Sequence, residues 1–482
     1  MNKITIKRIF LFILSISYFI GSNAQIPLPT AAQVEWQKLE TYAFIHFGQN
    51  TFNDVEWGYG DADPKNFNPT NVDCEQWVKA LKDGGMTAVI ITAKHHDGFC
   101  LWPSKYTDYT IAASPYKGGK GDIVGEVAAA CRKYGLKFGV YLSPWDRHQA
   151  IYGTPEYIEY YKNQMTELLT NYGDIFEVWL DGANGGDGYY GGAREERKID
   201  RRTYYHFDEL FALIHKLQPN AVIFSDGGPG CRWVGNENGV AGETNWSFLR
   251  EGVVYPGYPN NSELTSGHSD GTQWIPAECD VSIRPGWFYH AKEDSKVRTG
   301  KDLFELYLKN VGRNGNFILN VPPTKEGLIH PIDVASLAEF NNIRKHTFAN
   351  DLLLHAKIKG SSNASKIESA KNTNDSNYDS YWSPKDGDAN PTLNIKLKKQ
   401  TPINYIVLQE YIPKGQHVEK FVVEYKNANG AWTLLPTTEQ TTTIGYKRIL
   451  PIKKIETKEL RVRFTSWRQN IYISEVAAYY AE

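Results

Sequence analysis

Between about residue 30 and residue 350, short runs of consecutive apolar residues alternate with longer stretches in which apolar residues recur every three or four positions. Tyr42–Phe47 (YAFIHF), Ala88–Thr92 (AVIIT), Lys137–Leu142 (KFGVYL), Ile175–Leu180 (IFEVWL), Ala221–Ser225 (AVIFS) and Asn316–Val321 (NFILNV) read as parallel strands buried on both faces. The periodic stretches between them predict helices. Cys74–Asp83 precedes Gly84-Gly85, Asp122–Tyr134 precedes Gly135, Pro155–Asn171 leads to Gly173, and Arg202–Leu217 stops at Pro219. Two further strands have weaker patterns and are expected near Val240–Glu243 and Gln273–Glu278. No glycine-rich phosphate fingerprint follows the first strand, so the repeat predicts an α/β fold of the (β/α)8 TIM-like barrel type rather than a doubly wound sheet. Past residue 350 the helical period disappears. Leu393–Leu397, Tyr405–Leu408, Lys420–Tyr425, Trp432–Leu435, Glu459–Phe464 and Ile471–Ala478 are rich in β-branched and aromatic residues and are punctuated by Gly, Pro, Asn and Lys, which predicts a C-terminal antiparallel β-sandwich. The expected organisation is a leader over 1–24, a barrel over 25–350 and a sandwich over 351–482.

The leader carries Lys3, Lys7 and Arg8, an apolar run from Ile9 to Ile20, and Ser22-Asn-Ala24 before Gln25, the layout of a cleavable signal peptide. Its apolar run is shorter than the roughly 20 residues that span a bilayer. The mature chain is therefore expected to be secreted or periplasmic, with no membrane span. A formal net charge of −2 offers no basic excess for nucleic acid. Aromatics make up 13% of residues, including 13 Trp and 30 Tyr, which suits a protein that stacks flat rings on sugars. The five cysteines lack paired spacing, so neither a disulfide framework nor a zinc cluster is expected.

The strand ends carry residues that a packed core would not select. In Glu177-Val-Trp-Leu-Asp181-Gly182 an apolar strand runs into a lone carboxylate backed by glycine. At the C-terminal end of a barrel strand such a group faces the mouth where barrels do their chemistry; the alternative is a residue that caps the next element or opens a turn. His46, then His95 and His96, then Tyr141 and Trp145, then Trp179 and Asp181 end the first four strands in turn. Adjacent His95 and His96 on a strand would point to opposite faces and could not readily chelate one ion, so no catalytic metal is expected. Donor histidines beside Trp and Tyr faces instead suit a small polyhydroxylated ring with one apolar patch.

Phe44-Ile-His-Phe-Gly48, Glu56-Trp57-Gly58, Ala93-Lys-His-His-Asp-Gly-Phe99, Tyr141-Leu-Ser-Pro-Trp145, Trp179-Leu-Asp-Gly182, Ser282-Ile-Arg-Pro-Gly-Trp-Phe-Tyr-His290 and Asn314-Gly-Asn-Phe-Ile-Leu-Asn320 occur in that order. The set resembles the α-L-fucosidases of glycoside hydrolase family 29. The resemblance implies a retaining mechanism through a covalent fucosyl-enzyme intermediate, no cofactor for catalysis, and a barrel followed by a sandwich. It implies Asp181 as nucleophile, His46, His95, His96 and Tyr141 as ligands of the fucose hydroxyls, and Trp57 and Trp287 as walls of the pocket. Trp179 and Arg284 join the substrate-binding set, with a structural salt bridge as the alternative for Arg284.

Such a mechanism needs a second carboxyl group, protonated at rest. Glu195, Asp226, Glu237, Glu243, Glu278 and Asp280 all lie downstream of Asp181. Trp233 and Val234 give Glu237 an apolar setting that would raise its pKa, and the Trp-Val-Gly-Asn-Glu run resembles the acid/base loop of the α-1,3/1,4-selective subgroup. Glu237 is the expected acid/base, with Glu243 as runner-up and Asp226 as a turn former or substrate contact. The glycine-rich run 184–192 reads as a loop or as a rim whose tyrosines meet the aglycone. The sandwich resembles discoidin-like carbohydrate-binding modules, in which Asp386, Asp388 and Glu475 could contribute oxygens to a structural calcium. The expected function is removal of terminal α-1,3- or α-1,4-linked fucose from Lewis-type glycans. The alternatives are a broad-specificity fucosidase accepting α-1,2 links and aryl fucosides, and a non-catalytic fucose-binding lectin.

Overall fold

The computed structural model describes residues 26–183 and 186–482, with only the backbone of Asp187; the predicted leader lies outside the described residues. Eight strands close a barrel: β1 (Thr41–Ile45), β2 (Ala88–Lys94), β3 (Lys137–Leu142), β4 (Glu177–Trp179), β5 (Val222–Ser225), β6 (Cys231–Trp233), β7 (Ala277–Ser282) and β8 (Gly315–Asn320). Each pairs in parallel with its neighbours, and β1 joins both β2 and β8. Six strands lie within a few residues of the apolar runs that predicted them. The other two need correction. Val240–Glu243 is irregular, and of Gln273–Glu278 only Ala277 and Glu278 belong to the barrel, as the start of β7, while Gln273–Trp274 pairs antiparallel with Phe248–Leu249 outside it. The sixth strand is instead Cys-Arg-Trp, with Arg232 at its centre, so an apolar-run criterion passes over it. Arg232 is fully buried, and its guanidinium donates to the Leu264 carbonyl (2.9 Å) and the Asn245 side chain (2.8 Å).

Helices Cys74–Asp83, Ile123–Tyr134, Pro155–Asn171, Phe207–Leu217, Gly300–Asn310 and Pro331–Thr347 cover the barrel after β1, β2, β3, β4, β7 and β8. Side chains of Asp73, Asp122 and Thr299 accept hydrogen bonds from N3 amides and so start three of them. The fourth begins at Phe207, five residues later than its periodicity predicts, because Arg201 to Tyr205 form turns and His206 adopts φ 50°. A short helix, Ala31–Gln37, closes the bottom: Trp36 reaches into the barrel and its indole donates to Glu177 at 2.7 Å.

One flank lacks its helices. Only residues 226–230 separate β5 from β6, and β6 is followed by irregular chain with one short helix, Asn261–Ser266. The C-terminal domain packs on that flank. Its strands, Lys357–Gly360, Thr392–Glu410, Val418–Lys426, Trp432–Leu434, Arg448–Trp467 and Ile473–Tyr479, pair antiparallel, and register shifts mark where the two longest bend. Trp382, Leu393, Phe421 and Val462 centre its own core, but Val407, Ile449 and Ala477 belong to the buried layer between barrel and helices. Across the seam Ser247 N–H donates to Gln416 (2.8 Å), Gln416 donates to the Asn245 carbonyl (3.0 Å), and Asn245 N–H donates to Thr443 (3.0 Å). Although the sequence divides near residue 350, the buried surface does not. A chain ending there exposes these apolar and polar groups together, and residues 26–350 alone are expected to aggregate on expression. A soluble fragment melting cooperatively within a few degrees of the full chain would overturn this. Among the described residues no helix is long and apolar enough to cross a membrane.

Candidate functional site

The mouth of the barrel holds a cavity of about 260 Å³ lined by ends of six strands and their loops. Asp181 stands two residues beyond β4 with its side chain a quarter exposed. Tyr141 O–H donates to its Oδ2 at 3.2 Å and Ala183 N–H to its Oδ1 at 2.7 Å, which fixes the plane of the carboxyl group. Gly182 has no room for a side chain, since a Cβ there would fall 2.2 Å from Asp226 Oδ2. The glycine behind Asp181 thus lets two carboxyl groups from adjacent strands approach the same cavity.

The three histidines are held by partners that define their tautomers. Asn320 donates through Nδ2 to Ser282 Oγ and to the Trp287 carbonyl, so its Oδ1 accepts, and His46 Nδ1 must donate to it at 2.8 Å. Asn50 accepts Gly58 N–H on Oδ1 and donates to the Glu56 carbonyl, so it also donates to His95 Nδ1 at 3.3 Å. Ser143 spends its proton on the Trp145 carbonyl and accepts from His96 Nδ1 at 2.7 Å. Burial pushes all three pKa values down, that of His46 to about 3, so the rings are neutral. Nε2 is then a bare acceptor on His46 and His96 and an N–H donor on His95. Acceptor, donor, acceptor is a pattern that hydroxyl groups can satisfy. His95 and His96 lie past β2 in a turn, so their rings sit 4.1 Å apart on the same side, which corrects the expectation of opposite faces.

Aromatic walls complete the cavity. Trp179 stacks on Phe224 with centroids 3.9 Å apart and on Tyr141 at 5.3 Å. Trp287 leans on His46 at 5.2 Å, and Trp57, 54% exposed, stands edge-on to His96 and Trp145 at the rim. Tyr141 is fully buried behind the lining and reaches Asp181 through its hydroxyl. Glu237 stands at the rim, where the Trp287 indole donates to its Oε2 at 3.4 Å. Desolvation first, then the Asp181 and Glu56 carboxylates, raise its pKa against the lowering by Trp287. Trp233 lines the same wall, whereas Val234 turns inward onto Ala241, Ala277 and Cys279, so only one of the two predicted apolar neighbours serves this role.

Asp226 and Asp280 also line the cavity. Burial raises Asp226 to about 7 while Gly257 N–H holds its Oδ2 at 2.7 Å; burial also raises Asp280, whose Oδ1 accepts from the Trp233 indole at 2.7 Å. Sequence reasoning missed Glu56 as an organising residue: it accepts from Trp287 N–H (3.0 Å) and Phe288 N–H (3.3 Å) and pairs with His290 (2.7 Å). Only its place in Glu56-Trp57-Gly58 hinted at it.

Several expected residues lie elsewhere. Glu243 is outside the cavity, with its carboxyl 3.7 Å from Arg313 and its carbonyl held by Arg448 at 2.7 Å. Arg284 is 1% exposed, pairs with Asp333 (2.9 Å) and Asp294 (2.8 Å), and stacks on Tyr289; it ties the chain after β7 to the first turn of helix Pro331–Thr347 and does not line the cavity. Tyr190 is buried and accepts from the Trp145 indole at 2.8 Å, so it supports the wall rather than forming an exposed rim; Asn184 and Gly185 of that run lie outside the described residues. The three calcium candidates do not share a site. Asp388 is engaged by the hydroxyls of Ser361 and Ser362, Asp386 by Asn470, and Glu475 lies in the cleft between the domains with Glu40 and Lys447. Among the described residues one group of three potential metal ligands converges, Glu177, Cys231 and Glu278, beneath the cavity. Its carboxyl oxygens are already occupied by the Trp36 and Trp179 indoles, the Tyr42 hydroxyl and the Cys231 thiol, and burial beside Glu278 raises Glu177. Burial raises the Glu278 carboxyl as well, and its Oε1 fixes the edge of Trp179 through the indole N–H.

A family model described as Alpha-L-fucosidase matches residues 27–345, and one described as F5/8 type C domain matches residues 357–478. The chain is 42% identical to Alpha-L-fucosidase 1 of Arabidopsis thaliana over 99% of its own length and 94% of that protein's. A crystal structure of a glycoside hydrolase 29 family member from an unknown rumen bacterium is 43% identical, with a TM-score of 0.85 covering 95% of this chain and 78% of that one. A Ruminococcus gnavus GH29 fucosidase in complex with fucose is 34% identical, with a TM-score of 0.84 covering 95% of both chains.

Proposed function

Because the chain belongs to the α-L-fucosidase family and is a glycoside hydrolase, we propose that it is a retaining exo-α-L-fucosidase in which Asp181 is the nucleophile and Glu237 the acid/base. The carrying observation is that these two carboxyl groups face one cavity in unlike environments: Asp181 is oriented by two donors, and Glu237 has a raised pKa. In the first step Glu237 gives its proton to the glycosidic oxygen while an Asp181 oxygen attacks the anomeric carbon. The bond to the leaving sugar breaks and an ester forms. In the second step Glu237 takes a proton from water, whose oxygen attacks the same carbon and frees Asp181. Glycoside hydrolases of this family generally need no cofactor for this chemistry. His46, His95 and His96 would bind the sugar hydroxyls through their acceptor, donor and acceptor nitrogens, and Trp57 and Trp287 would cover the apolar face of the ring. The fucose held by the Ruminococcus gnavus relative supports fucose as that sugar.

For linkage the reading is α-1,3- and α-1,4-linked fucose of Lewis-type glycans, supported by the Trp-Val-Gly-Asn-Glu237 run at the rim where an aglycone would lie. The predicted leader supports action outside the cytoplasm. The test is free fucose released from a Lewis trisaccharide, an α-1,2-linked trisaccharide and an aryl fucoside. The Lewis substrate is expected to exceed the α-1,2 one in kcat/KM by at least about tenfold, the discrimination a few aglycone contacts supply. Equal rates would establish the broad-specificity alternative, and retention of sugar without release would establish a lectin.

A further inference from the structure

The segment carrying Glu237 stands where an ordinary barrel would have its sixth helix, and it has almost no helical hydrogen bonding of its own. Its turn is closed by Asn236, whose Oδ1 accepts from Asn238 N–H (3.1 Å) and Val240 N–H (3.4 Å) and whose Nδ2 donates to the Val240 carbonyl (2.9 Å). The next residue, Ala241, is tied on both sides: its N–H donates to the Lys309 carbonyl (3.1 Å), and its carbonyl accepts from Arg313 Nη1 (3.1 Å). Arg313 is in turn set by the C-terminal domain. Its Nε and Nη2 reach the two oxygens of Glu439 at 2.9 and 2.7 Å, and Arg448 donates to the same carboxylate at 3.1 Å. Two residues further on, the Glu243 carbonyl accepts from Arg448 and from Thr442, and Asn245 is clasped by Gln416 and Thr443. Arg313 and Arg448 are almost fully buried, and the Glu439 side chain is 13% exposed. A bidentate pair so shielded is geometrically strict, because its donors and acceptors have no water to substitute for one another.

Resting on the assignment of Glu237 as acid/base, we propose that Glu439 of the C-terminal domain is a positioning residue for that group, acting through Arg313 and Ala241 on the turn that carries it. The domain then has a role in the reaction besides any affinity for sugar. It stands in for the missing helix and holds the stem of the acid/base loop, so a flaw in the seam is transmitted over four residues to the carboxyl that protonates the leaving group.

The prediction separates this role from simple stabilisation. Loss of a stabilising contact lowers the active fraction and reduces all substrates by the same factor. Loss of positioning penalises only substrates that need proton donation. In full-length Glu439→Gln, kcat/KM for a Lewis trisaccharide is expected to fall about tenfold further than for an aryl fucoside with a good leaving group, part of the roughly 10²–10⁴ that acid catalysis supplies. The alkaline limb of the trisaccharide pH profile should also move to lower pH, as water entering a loosened loop lowers the Glu237 pKa. Gln416→Ala, which breaks the seam at a different point and spares the arginine pair, should give the same direction with a smaller ratio. The ratio is taken within one sample, so partial misfolding cancels. Equal losses on both substrates with an unmoved limb in both variants would overturn the positioning role. Glu237→Ala run alongside tells the two ideas apart: if it too loses both substrates equally, the acid/base assignment has failed; if it loses only the trisaccharide while the seam variants do not, only the present inference has.

Discussion

Asp181→Ala is expected to lower kcat/KM for every fucoside, activated or not, by at least about 10⁴-fold, the scale on which removing a covalent nucleophile acts. The breadth of the loss is the diagnostic part. A good leaving group relieves the need for a proton but not the need for an attacking oxygen, so an aryl fucoside should suffer as much as a trisaccharide. The fold should survive. Asp181 accepts one hydrogen bond from the buried Tyr141 hydroxyl and one from Ala183 N–H, and losing them costs about 1–3 kcal/mol each. The melting temperature should therefore fall by only a few degrees. The space vacated also predicts a product: azide entering where Asp181 stood attacks opposite the leaving group and yields fucosyl azide of inverted configuration from an aryl fucoside. Residual activity above about 1% of wild type on the aryl substrate, or azide product of retained configuration, would remove Asp181 from the nucleophile's role.

The barrel was legible wherever a strand is apolar on both faces, and obscure where it is not. β1 to β5 and β8 announce themselves through runs such as AVIIT and NFILNV. β6 hides because Arg232 faces a flank without a helix, where it bonds to backbone carbonyls and Asn245 that no local pattern reveals. The missing helices, and the seam that replaces them, involve pairs such as Asn245 with Gln416 and Arg313 with Glu439, separated by 171 and 126 positions. Periodicity carries no information at that range. In the site, Asp181, Trp179 and the three histidines were readable because polar heads at successive strand ends have few structural uses. Glu243 and Arg284 misled because a charge near a strand end looks the same in sequence whether it meets substrate or an ion-pair partner. His95 and His96 misled in another way: the strand period was extended two residues past Lys94, where the chain has already turned.

Glu237→Ala should divide the substrates that Asp181→Ala treats alike. For a Lewis trisaccharide the leaving alkoxide must be protonated, and kcat/KM is expected to fall by about 10²–10⁴-fold. For an aryl fucoside the first step needs little help, so kcat/KM should stay within about tenfold of wild type while kcat drops, because the second step has lost its base. Azide needs no deprotonation and should restore that step, giving fucosyl azide of retained configuration. The pH profile offers an independent sign. Glu237 must be protonated to act as acid, and desolvation, with the charges of Asp181 and Glu56, holds its pKa above the usual carboxylate range. On its alkaline side, wild-type kcat/KM on the trisaccharide therefore declines as pH rises through that raised pKa, and in Glu237→Ala that decline should vanish. If the alanine variant keeps both the trisaccharide rate and the alkaline decline, the proton comes from another carboxyl group in the cavity. Asp280 is then the first to replace, because burial raises it also and it shares the Trp233 wall beside Glu237.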